Sequence, residues 1–173
     1  MSAFIDLSGT AGLPIPSELE ESAAEILHRG SNVNDALQRV HAKWSLLAGA
    51  YSAPEQAQVQ GAMDRPRDAG EAVLQAASHA ATALRNFAAA VEGIRRKRLE
   101  LQAQAVLLLE KENNDLAPAA ALPAGNLPLS LPAFLLQSNA DQLALELSAA
   151  EDECMRSLAR LQRSADAPEQ RGL

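Results

Sequence analysis

Apolar side chains recur along this chain at alternating steps of four and three, which marks helices that keep one narrow stripe against a partner. Three stretches carry the pattern. Starting near Asn32, the residues Val33, Leu37, Val40, Trp44, Leu47 and Tyr51 fall on one line. From about Arg67 to Asn113, Val73, Ala77, Ala80, Leu84, Phe87, Val91, Ile94, Arg98, Leu101, Ala105 and Leu108 continue it without a break. A helix from about Phe134 to Ser164 presents Leu136, Ala140, Leu143, Leu147, Ala150, Cys154, Leu158 and Leu161. Arg98 is the one charged residue in these stripes, either as a polar register device or with its stem snorkelling to solvent.

Start and stop signals divide the rest. Residues 1–16 carry Gly9, Gly12, Pro14 and Pro16 and predict an irregular lead-in. Ser17 and Glu20 have capping-box spacing, so a first helix is expected from about Glu18 to Arg29, with Gly30 as its C-terminal stop. Ser52, Pro54 and Glu55 form a second start signal for a short helix through Met63, closed by Pro66. Pro118, Pro123, Pro128 and Pro132 make 116–132 a linker in which the chain reverses. Residues 17–165 then form a single helical domain, and 166–173 a flexible tail.

Three stripes need partners, and a spine of roughly 70 Å at 1.5 Å per residue is long for one domain. The pattern therefore predicts an all-α, elongated antiparallel helical bundle with a long central helix and coiled-coil-like heptad packing. A second arrangement leaves one stripe for another chain. Composition supports the helical reading. Of 173 residues, 36 are Ala and 27 Leu, whereas Val, Ile and Thr together number twelve. Strands favour β-branched and aromatic residues, so sheet-based scaffolds, and the enzymes built on them, are disfavoured.

Charge narrows the partners. The net charge of −7 disfavours nucleic acid and anionic membranes, which reward excess Lys and Arg. No apolar run of about 18 residues predicts a membrane span, and the first sixteen residues do not form a classical signal peptide. His28, His41 and His79 lack ligand spacing and no Glu-x-x-His motif occurs, so no metal or cofactor site is expected. Cys154 lies beside Glu151, Asp152 and Glu153, which disfavours a reactive thiol. Arg95, Arg96, Lys97 and Arg98 point around the helix, a solvated patch with bridges to Glu92 or Glu100. No catalytic residues stand out, and the chain is not expected to be an enzyme.

Trp44 and Tyr51 lie one heptad apart, and Glu55 four residues after Tyr51 completes a Tyr-x-x-x-Asp/Glu pattern. The longer stretch Trp44-Ser-Leu-Leu-Ala-Gly-Ala-Tyr51-Ser-Ala-Pro54-Glu55 leads to Val59, Met63 and Pro66, then to the spine with Phe87, Val91, Ile94, Arg95 and Arg96. It resembles the N-terminal helical targeting regions of actinobacterial type VII (ESX-type) secreted toxins, distant relatives of the Trp-x-Gly (WXG) proteins. Ala150-Glu-Asp-Glu-Cys154 and Leu158 are similar to the closing helix of those regions, so the resemblance spans about residues 35–162. Trp44 is followed by Ser45 and Leu46, so the tripeptide itself is absent.

The resemblance implies a non-catalytic, export-targeting and partner-binding module, the N-terminal part of a secreted toxin or its companion. It implies small helical WXG-like partners and the secretion apparatus, with Trp44, Tyr51 and Glu55 in recognition. It also implies synthesis in the cytoplasm and export without a classical signal peptide. The alternative is a cytoplasmic structural coiled coil or adaptor that is never exported.

Overall fold

A computed structural model describes residues 5–50, 52–115 and 131–166. After a 3₁₀ turn at Ser8–Thr10 come four helices: α1 (Pro16–Ala50), α2 (Gln56–Gly61), α3 (Asp64–Asp115) and α4 (Leu131–Asp166). The described residues are about 90 % helical and contain no strand, so the chain is an all-α helical bundle. They gather into two compact units. One takes its residues from Met1–Pro16 and Ala89–Glu153, the other from Ser17–Ala88 and Cys154–Leu173.

In the second unit α1 and α3 run antiparallel, with Gln38 donating to Glu71 at 3.2 Å and the His41 imidazole to Asp64 at 3.2 Å. Gly30 corrects the sequence expectation. It ends no helix: α1 passes straight through it, and Gly30 is buried against α3. A Cβ there would overlap the Cβ of Ala77, and one at Gly70 would come within 2.9 Å of Leu37 Cδ1. Each glycine costs about 1 kcal/mol of helix propensity relative to alanine. Each is placed where the two backbones meet too closely for a side chain.

That close approach sets the face of α1. The residues turned inward are Ala23, Leu27, Gly30, Asn34, Leu37, His41 and Trp44, a 4-3 repeat of buried and half-buried positions. Of the expected stripe Leu37 and Trp44 face inward, but Val33, Val40 and Leu47 do not, being 44, 46 and 68 % exposed. Val73 of α3 is likewise exposed, its place taken by Gly70 and Leu74.

In the first unit the expected stripes hold. Val91, Ile94 and Leu101 of α3 are buried, as are Ala133, Ala140, Leu143 and Leu147 of α4. The ion pair Lys97–Glu146 at 2.6 Å fixes their antiparallel register. Two prolines expected outside the helices lie inside first turns, Pro66 in α3 and Pro132 in α4. The first backbone N–H groups of a helix have no partner within it, so proline there sacrifices nothing. Ser17 also falls inside the helix it was expected to cap, since α1 starts at Pro16. Linker positions 116–130 lie outside the described residues, as does tail 167–173.

Candidate partner-docking site

The sequence places recognition around Trp44, Tyr51 and Glu55. Trp44 is half-buried near the end of α1, and its indole N–H donates to the Val59 carbonyl of α2 at 2.7 Å. The Glu55 carbonyl accepts the N–H groups of Gln58 and Val59, at 3.0 and 3.1 Å, opening α2. Glu55 itself occupies the N-cap, exposed and with no side-chain cap bond, so Ser52 does not form the expected capping box. Trp44 and Glu55 are thus joined through the backbone of Val59. Tyr51 lies outside the described residues.

A second feature had no clear sequence signature. In the first unit an open groove of about 440 Å³ runs between α3 and α4, with Leu107, Leu108, Leu135 and Leu136 along it and Lys111 and Asn139 at its edge. Leu107 and Leu135 are exposed, as are Leu131 and Phe134 nearby in sequence on α4. The available hint lies in the runs Val106-Leu-Leu-Leu109 and Phe134-Leu-Leu136. A helix stripe covers about a third of the circumference, so consecutive apolar residues leave some facing away from the core.

The basic cluster is partly neutralised. Arg96 pairs with Glu92 at 4.0 Å, as expected, whereas Lys97 reaches across to Glu146 on α4. Arg98 occupies a half-buried seam position with its Nε buried and without a hydrogen-bond partner. In the second unit a more polar groove of about 510 Å³ is lined by His79, Thr82 and Asn86 of α3 and by Ser157 and Arg160 of α4. Cys154 is half-buried, and that burial raises its thiol pKa above the usual value.

Among the described residues no cluster of His, Cys, Asp and Glu could hold a metal ion, and no helix is long and apolar enough to cross a membrane. Fold and surface together define a helical bundle with an open apolar groove between two of its helices. No known protein family, characterised protein or solved structure matches the chain.

Proposed function

We propose that this chain is a non-catalytic, export-targeting and partner-binding helical module of a type VII secretion substrate, the N-terminal part of a secreted toxin or its companion. The observation that carries the partner-binding half is the groove of Leu107, Leu108, Leu135 and Leu136. Two helices packed side by side leave a trough on each flank, and a third amphipathic helix fills such a trough with its apolar face. The occupant in this reading is a helix of a small WXG-like protein. Lys111 and Asn139 at the groove's edge suit a polar or acidic flank on that helix.

The export half rests on the resemblance around Trp44. The Trp44–Val59 bond ties α2, whose N-cap is Glu55, to the end of α1. A recognition residue such as Glu55, carried at the start of a tethered helix, loses less conformational entropy on binding than one on a free chain. The test is fractionation of a tagged copy in cells with and without a functional type VII system. Export only where the system works supports the reading. Retention in the cytoplasm in both strains contradicts it and favours a structural adaptor. If export persists in Tyr51→Ala and Glu55→Ala chains, those two residues are not the signal even though the chain is a substrate.

A further inference from the structure

The described residues of the lead-in, which fold into one 3₁₀ turn, make specific contacts with α4. The Asp6 N–H donates to the side-chain carbonyl of Gln137 at 2.8 Å, and the Gln137 amide nitrogen donates back to the Asp6 carbonyl at 3.4 Å. A glutamine side chain here pairs with the backbone N–H and C=O of one residue, using one donor and one acceptor. Gln137 is held for the task by a second bond, from its amide nitrogen to Asp141 at 2.8 Å.

Three residues further on, the segment fits a notch. A Cβ at Gly9 would stand 2.8 Å from the Cβ of Ala144, and alanine has no flexible end that could move aside. Thr10 follows, 1 % exposed, with its N–H and hydroxyl both donating to the Leu7 carbonyl at 3.1 Å. Asp6 in turn accepts the Ser8 N–H at 2.8 Å, which shapes the turn before it reaches the notch. Gly12, at φ +75°, then redirects the chain toward α1.

Recognition is therefore two-point: backbone pairing at Gln137, and a side-chain-free residue over Ala144. The attachment is also light. The Asp6–Gln137 bonds are solvent-exposed, Ile5 and Leu7 are only half-buried, and the one fully buried side chain among residues 5–11, Thr10, is polar. Segments with few buried apolar contacts and exposed hydrogen bonds occupy the low end of local stability and open without the rest of the fold.

We propose that the Gln137–Ala144 face of α4 is a peptide-docking site, loaded in cis by residues 5–11 and able to exchange them for the same segment of a second copy. The occupant is identified by what is seated there: a short segment with a paired backbone at Gln137 and a 3₁₀ turn whose glycine lies opposite Ala144. Exchange between copies loses no contact, because the site and the segment are the same in both. This proposal does not depend on the export reading.

The experiment is a titration of the full chain with a synthetic peptide of residues 5–13, followed by the NMR signal of the Gln137 side-chain amide. In the parent chain the tethered segment competes at an effective concentration on the order of millimolar, so the peptide binds poorly. Gly9→Val, which collides with Ala144, and Asp6→Pro, which removes the donor to Gln137, each vacate the site. Each should bind the peptide at least about tenfold more tightly than the parent chain. A peptide with valine in place of glycine at position 9 should not bind to any of them. Equal titration of parent and variants, or no titration of either, overturns the proposal. So does loss of the helical circular dichroism signal in both variants, which would make the segment part of the folding core rather than a separable occupant.

Discussion

The indole N–H of Trp44 donates to the carbonyl oxygen of Val59 at 2.7 Å, tying the last turns of α1 to the six-residue helix α2. A helix this short cannot hold itself together, since nucleation consumes most of what its few hydrogen bonds return. The bond to Trp44 is one of the contacts that holds α2 in place.

Trp44→Phe keeps an aromatic ring, though a smaller one, and removes the donor. It should cost about 1 kcal/mol and act locally. Hydrogen exchange of the α2 amides should accelerate several-fold, while amides of α3 in the first unit keep their rates. Uniform acceleration across the chain would mean that Trp44 acts as a core residue and not as a tether.

Two glycines in long helices should respond in opposite directions. Gly30→Val drives a branched side chain into Ala77 and should destabilise by about 1–3 kcal/mol. Gly93 has nothing within 4 Å of where a Cβ would sit, so Gly93→Ala should stabilise by about 0.5–1 kcal/mol through helix propensity alone. Thermal unfolding by circular dichroism reads both. Matching signs would refute the assignment of Gly30 as the point of closest approach.

These glycines show which parts of the fold could be read from sequence. The α4 stripe and most of the α3 stripe were legible because Leu, Ile, Val and Ala fill them at 4-3 spacing, and burial follows apolar area. The α1 seam was not. It runs through Gly30, Asn34 and His41, which carry no apolar signal, while Val33 and Val40 outline a neighbouring face. Backbone proximity decided the outcome, and proximity depends on small residues in two helices at once. The same limit applied to the candidate site. Trp44 stood out by its rarity, but its partner is a backbone carbonyl in another helix, and no residue pattern encodes that. The groove was not read from the sequence; the runs Val106-Leu-Leu-Leu109 and Phe134-Leu-Leu136 are the signal that could have pointed to it.

Arg98 occupies a seam position with a buried, unpartnered N–H on its Nε. Leaving such a donor unpaired is unfavourable, so Arg98→Leu should stabilise the chain by about 1 kcal/mol. Arg98→Ala should not, because it also discards the packing of the aliphatic stem. Urea denaturation midpoints distinguish the two. Destabilisation by leucine would show that the guanidinium contributes a stabilising contact.

The lead-in should respond to acid. The Ser8 hydroxyl and N–H hold the Asp6 carboxyl below its ordinary pKa. A depressed carboxyl stabilises the folded form fully above the unfolded value, about 3.9, and loses that contribution as pH falls through the lower folded value. The Ser8 amide resonance should therefore titrate with a midpoint below that of an ordinary Asp carboxyl and be flat near neutrality. Asp6→Asn should abolish the step. A midpoint at or above the ordinary value would show that the Asp6–Ser8 turn does not persist in solution.

The most direct measurement is the secreted fraction of a tagged chain, compared between cells with a working type VII system and cells lacking it. The measurement is repeated for Leu107→Asp combined with Leu135→Asp. Both residues are exposed, so the double variant should fold while its groove no longer accepts an apolar helix face. The predicted result is system-dependent export of the parent chain and a loss of about tenfold or more in the variant, with co-purification of a small helical partner lost in parallel. Equal amounts of parent chain outside both kinds of cell, or undiminished export and partner capture by the variant, would contradict the proposed function.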